Sequence, residues 1–255
     1  MKTRVLYLSL FFLSLLHSGC SKEKEEHTCN ISHVTDAYDY PLKPGMPGWS
    51  LLNSSHEMDS VLQIPDNVLN NISTEGLIET ALNYPRFGDL YFLDDYQQAF
   101  EILTEHFNGF QELLKRDDAA EKLLNRYVLM YPGCNENNWP SINGPGSSTS
   151  FSFAFIEIII AQYEILSQLD KMKIKTLLKE ALIKYEEKNQ YKYSVFSKKH
   201  TILIAGRIMY LADYTPFIEE YNKNICVKDL LDKVILNSNF ETLEIINNYA
   251  KKFLN

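Results

Sequence analysis

The chain of 255 residues carries 25 lysines and arginines against 33 aspartates and glutamates, a formal net charge of -8, and 45% of it is hydrophobic. That composition supports a buried core, which excludes wholesale disorder, and its acidity leaves no basic stripe for general binding of nucleic acid. The length allows one large domain or two small ones.

Lys2 and Arg4 precede an apolar stretch from Val5 to Leu16. As a helix this stretch rises only about 18 Å, short of the roughly 30 Å of a bilayer core, so it reads as an export signal rather than a membrane span. The residues that follow are His17, Ser18, Gly19 and Cys20. Ser18-Gly19-Cys20 resembles the lipobox of bacterial lipoproteins, with His17 where that family prefers leucine. The resemblance implies cleavage after residue 19, lipidation of Cys20 and a palmitate-type anchor in the outer membrane, on either its periplasmic or its surface face. Cleavage there removes Lys2 and Arg4 and takes the net charge from -8 to -10.

Residues 20–37 open with the charged run Ser21-Lys22-Glu23-Lys24-Glu25-Glu26, which has no apolar side chain and reads as a solvated tether. It is also similar to the acidic segment behind the lipidated cysteine of some surface-exposed lipoproteins. With Cys20 lipidated, Cys29, Cys134 and Cys226 remain, so at most one internal disulfide forms. Cys134 with Cys226 is the pairing we favour, and three reduced thiols fit the spacing equally well.

From Tyr38 to Trp49, Pro41, Pro44 and Pro47 forbid a regular helix, so the segment runs extended with Tyr38, Tyr40 and Trp49 docked on the body or offered to a partner. Helix starts follow in the capping box Ser54 to Glu57, at Ser73, and with Asp117 as a further cap. Phe100, Leu103, Phe107, Phe110 and Leu114 form one apolar stripe, broken or kinked at Asn108-Gly109. Tyr38-Asp39-Tyr40-Pro41, Leu82-Asn83-Tyr84-Pro85 and Phe107-Asn108-Gly109, with neighbouring motifs over residues 38–130, resemble a region of uncharacterised exported bacterial helical proteins. The resemblance implies an exported helical module and no particular activity.

Tyr131 to Ser150 contains fifteen Asn, Gly, Pro, Ser and Thr residues and reads as a long loop. Such a loop is a linker between helical halves or a functional segment, and Asn138 with Trp139 would suit carbohydrate or peptide contact. Ser150 to Phe155 alternates as a short strand would, yet the apolar run continues to Leu166 and favours a helix. Its narrow polar stripe, including Glu157 and Glu164, reads as a solvated face. Ile174, Leu177, Leu178, Ala181 and Tyr185 form the next helix, opened by Asp170, with Glu180 and Lys184 pairing on its outside. Arg207 interrupts an apolar run shared with His200 and calls for an acidic partner, Glu157 or Asp213, or else an anion. Pro216 suits a first helical turn, and Ser238 starts the last helix.

The class is all-α: a single irregular bundle of about eight to ten helices over residues 38–255, or alternatively solenoid-like helix pairs. Asn143 to Thr149 lacks the lysine of a phosphate loop, and no motif for a metal, a cofactor or a standard hydrolase is present. The expectation is therefore a lipid-anchored envelope protein, more a binder of protein, peptide or glycan than an enzyme. A helical enzyme acting on an envelope or host polymer and a structural or assembly factor are the alternatives.

Overall fold

The computed structural model describes residues 34–134, 149–236 and 240–255. These residues form thirteen α-helices and two 3-10 turns, with no strand among them. The all-α class is therefore the observed one, and the alternation from Ser150 to Phe155 lies inside a helix.

The first half is built from short helices: α1 (Ser55–Val61), α2 (Asp66–Leu69), α3 (Thr74–Leu82), α4 (Tyr96–His106), α5 (Asn108–Lys115) and α6 (Ala119–Val128). Ser54 accepts from the Glu57 N–H at 3.2 Å while Glu57 accepts from the Asn53 N–H at 2.6 Å, so the expected capping box forms with its return bond one residue early. Ser73 caps α3 through the Gly76 N–H. Asp117 does not cap α6. The N-cap is Asp118, whose carboxylate instead accepts from the Thr74 hydroxyl at 2.7 Å.

The apolar stripe from Phe100 to Leu114 is two helices with Phe107 extended between them. The Phe107 ring occupies the space that a Cβ at residue 109 would need, 2.3 Å from its position, so glycine is required there. Asn108 closes the break by accepting from the Ile64 N–H at 3.0 Å and donating to the Ile64 carbonyl at 2.8 Å.

The second half contains α7 (Thr149–Ile160), α8 (Tyr163–Leu166), α9 (Lys171–Gln190), α10 (Val195–Leu211), α11 (Thr215–Lys223), α12 (Ile225–Lys233) and α13 (Phe240–Leu254). Asp170 caps α9, and Pro216 stands in the first turn of α11, both as expected. Ser238 lies outside the described residues. The count exceeds ten because the stripes from Phe100 to Leu114 and from Phe153 to Leu166 each divide, and because short α1, α2 and α12 lack a long periodic signal.

Helix α10 is the axis, packing against α7, α9, α11, α12 and α13, while α12 also reaches α4. In a solenoid each unit touches only its sequence neighbours. Here elements far apart in sequence converge on α10, so the molecule is a bundle. One apolar core runs from Tyr40 to Ala250. Gly206 lets α12 approach α10, since a Cβ there would stand 2.8 Å from the Leu231 side chain.

The N-terminal strip lies along this body but is extended only as far as Tyr40. From Pro41 it bends and turns, with the Met46 N–H donating to the Lys43 carbonyl at 3.1 Å and the Trp49 N–H to the Met46 carbonyl at 2.9 Å, because the prolines that forbid a regular helix favour turns beside Gly45 and Gly48. Tyr38 donates its N–H to Thr80 at 2.8 Å, and the buried Tyr40 donates its hydroxyl to the Thr80 carbonyl at 3.0 Å. Asp36 is already docked, accepting from the Ser73 N–H at 2.7 Å, a bond that holds its carboxyl below the usual range against the opposing effect of burial.

Candidate functional site

The polar interior is the first place to look for chemistry. Glu157 is fully buried rather than solvated, whereas Glu164 is exposed as expected. Lys188 reaches both Glu157 oxygens at 2.8 Å, and the Tyr127 and Thr201 hydroxyls donate to the same carboxylate at 2.9 and 2.8 Å. Burial pulls the Lys188 ammonium down, with Glu157 opposing, and pushes the Tyr127 hydroxyl well up. Lys184 also turns inward. It is buried 3.4 Å from Glu180, against the expectation of an outer-face pair, with its ammonium 5.0 Å from the Tyr127 ring centroid.

Arg207 has neither of its expected acidic partners. Its Nε and Nη2 donate to the Leu231 carbonyl at 3.0 and 2.7 Å, Nη1 donates to the Ala161 carbonyl at 2.9 Å, and Nη2 also reaches Gln97 at 2.8 Å. Leu231 lies in the last turn of α12, and Ala161 directly follows α7. The final carbonyls of a helix lack intrahelical donors and carry its negative dipole end, so Arg207 caps two helix C-termini at once. Four of the five N–H donors of a guanidinium are thereby used, which accounts for the buried cation without a carboxylate or a bound anion.

On the same helix, Lys199 is buried over the rings of Tyr96 and Phe196, 3.6 and 4.4 Å from their centroids, and donates to the Val234 carbonyl at 3.1 Å. Burial lowers its pKa to about 7, while the aromatic faces favour the charged form. Val234 is left-handed, with φ of 56°, an unusual conformation for a β-branched residue. His200 is fully buried and stacks on Tyr96. Burial, then Lys199 and Lys188, hold the imidazole well below the usual range, with only the Phe196 carbonyl opposing. None of these groups lines either of the clefts described next. They are core chemistry.

Among the described residues, two sizeable clefts are lined by other groups. The larger, about 670 Å³, lies between α1, the 3-10 turn Phe87–Phe92 and α4. Arg86 organises one wall by pairing with Asp59, donating to Asp89 at 2.7 Å and to the Ser55 carbonyl at 3.2 Å. Burial opposes the Arg86 charge, but Asp89 and Asp59 outweigh it and raise the pKa. His56, Glu105 and His106 complete the polar rim, with His106 Nδ1 3.6 Å from Asp59, too far for a hydrogen bond. The opposite wall is apolar: Phe92 is 82% exposed, Ile102 41% and Leu93 38%. With three carboxylates to one arginine, the groove is acidic on one side and greasy on the other. His56 and His106 are far apart in sequence and meet only as lining of the same cleft.

The smaller cleft, about 580 Å³, lies between α8, α9, α10 and α13 and is mostly aliphatic. Among the described residues, no group of histidine, cysteine and carboxylate side chains is arranged to hold a metal, and no helix is long and apolar enough to cross a membrane.

Of the residues singled out in the sequence, Tyr38 and Trp49 are half-buried against the core and Tyr40 is buried, so the strip offers little free aromatic surface. Cys20, Asn138 and Trp139 lie outside the described residues. The expected Cys134–Cys226 bridge is not formed: Cys134 is disulfide-bonded and Cys226 is a free thiol. The start of the predicted loop is pinned to the end of α9 by the Tyr131–Tyr191 hydroxyl contact at 2.7 Å. The groove on α1 and α4 escaped the sequence reading because its histidines carry no ligand spacing and Phe92 belongs to no periodic stripe. No family model, curated protein or solved structure matches the chain.

Proposed function

We propose that this chain is a lipid-anchored envelope protein, held in the outer membrane through Cys20, whose helical body binds a polypeptide segment in the groove between α1 and α4. The anchor rests on the signal-like residues 1–20 and the lipobox-like Ser18-Gly19-Cys20. The exported-protein pattern over residues 38–130 supports the same placement. Several acyl chains on one cysteine give a lasting attachment, because each buried methylene contributes about 0.8 kcal/mol.

The observation that carries the binding reading is the pairing of exposed Phe92 and Ile102 with the Asp59, Asp89 and Glu105 carboxylates in one concave site. A large apolar side chain left in water beside fixed charge suits a partner segment with an apolar anchor flanked by lysine or arginine. It suits a glycan less, since the exposed ring is phenylalanine and two of the carboxylates are already held by Arg86. The exchange on binding is physical rather than chemical: Phe92 and Ile102 leave water, and a basic side chain meets Glu105 at the rim.

Screening synthetic peptides against the purified soluble body tests this reading. Peptides with an aromatic or aliphatic centre flanked by basic residues should bind, and Phe92→Asp or Ile102→Asp should weaken binding at least tenfold. No binding across the set, or binding untouched by both substitutions, would overturn it. An enzymatic reading draws on one feature, the proximity of His106 to Asp59. It predicts that His106→Ala abolishes turnover of an envelope polymer without weakening peptide binding.

A further inference from the structure

We infer that the aliphatic cleft between α8, α9, α10 and α13 binds a single-chain amphiphile with an anionic head. This site is separate from the α1–α4 groove, and the inference does not depend on that groove's function. The cleft encloses about 580 Å³, within the size range of small-molecule sites. Leu169, Ile174, Ile208, Leu211 and Phe253 are among the apolar side chains of its walls, and among the described residues the charged side chains that line it are Lys171 and Lys175.

The charge at this cleft runs against that of the chain. In a sequence with net charge -8, no carboxylate side chain lines the cleft, whereas three line the other groove. Asp170, beside Lys171, accepts from the Met172 and Lys173 backbone N–H groups at 2.8 Å, and Glu121 pairs with Lys173. Lys171 and Lys175 are exposed and form no ion pair among the described residues, so two free ammonium groups stand at the mouth of an apolar hollow. Leu211, in the lining, is 43% exposed. A hydrocarbon tail in the hollow and a carboxylate or phosphate between the lysines would satisfy both halves of the site. The concavity favours one inserted chain over adsorption to a flat membrane surface.

Titration calorimetry of the soluble body with dodecanoate, dodecyltrimethylammonium and dodecyl maltoside, each below its micelle concentration, tests the inference. Dodecanoate should bind with one-to-one stoichiometry, its affinity rising about fourfold per methylene from octanoate upward. The cationic and neutral amphiphiles should bind at least tenfold more weakly. Lys171→Glu/Lys175→Glu should weaken dodecanoate at least tenfold without changing the melting temperature, and Ala212→Trp, which places a ring in the cleft, should abolish binding. Equal affinity for all three head groups, affinity unchanged in the double variant, absence of binding, or association only with anionic phospholipid vesicles would each overturn it. Peptide binding at Phe92 should be the same in every one of these variants.

Discussion

Glu157→Gln is the substitution that probes the centre of the bundle most sharply. The replacement keeps the shape and leaves an oxygen to accept from Tyr127 and Thr201, but removes the counter-charge that Lys188 meets at 2.8 Å. Both partners of the pair are fully buried. Breaking such a pair from one side costs about 3–5 kcal/mol, because the remaining ion is left uncompensated. Against a total stability of about 5–15 kcal/mol that is a large fraction. With a urea m-value of about 3 kcal/mol per molar, the midpoint should fall by about 1–1.7 M. Lys188→Met should cost a similar amount, since it strands the carboxylate. Glu157→Gln/Lys188→Met carries no buried charge and should cost less than the two singles summed, with a coupling of about 2–3 kcal/mol. Urea unfolding followed by far-ultraviolet circular dichroism reads all three. A Glu157→Gln cost below about 1 kcal/mol, or strict additivity in the double variant, would refute the reasoning.

Other consequences are as direct. Lys199, lowered to about 7 by burial, binds fewer protons in the folded than in the unfolded chain between about 7 and its unfolded value near 10.4, so it makes stability rise with pH across that window. The slope of unfolding free energy between pH 7.5 and 9.5 should fall by about 1 kcal/mol per pH unit in Lys199→Met, and an unchanged slope would contradict the assignment. Lys192 and Asp213 end α9 and α10 in the left-handed region, with φ of 57° and 49°, and both are exposed. Replacing either with glycine should stabilise the protein by about 1 kcal/mol in thermal unfolding, and destabilisation would show that the side chain does more than strain the backbone. Under denaturing, non-reducing conditions Cys226 should alkylate while Cys134 does not until a reductant is added. Modification of Cys134 without reductant would count against its disulfide.

The all-α class was legible because glycine and proline nearly vanish after residue 147 and because Ile174 to Tyr185 keep a helical period. Caps at Ser54, Ser73 and Asp170 were legible for the same local reason: a short polar side chain beside the first free N–H groups needs no tertiary information. What sequence could not supply was the partner of each buried charge. Glu157 sits in a polar stripe with Glu164, and periodicity treats the two alike. Only the arrival of Lys188 from α9 and Thr201 from α10 makes one of them core. Arg207 shows the same limit, since carbonyls at the ends of α7 and α12 meet it, and backbone acceptors leave no trace in side-chain identity. The α1–α4 groove depends on Arg86 linking Asp59 and Asp89, residues that no spacing rule joins.

The central claim is that Cys20 attaches this helical body to a membrane by lipid. Mass spectrometry of the N-terminal peptide from protein expressed in a Gram-negative host tests it most directly, with Cys20→Ser as the control. The account predicts a mature chain beginning at Cys20 that carries diacylglycerol and an amide-linked acyl chain, and a Cys20→Ser protein that is neither acylated nor membrane-bound. An unmodified Cys20, or a chain processed elsewhere, would contradict it.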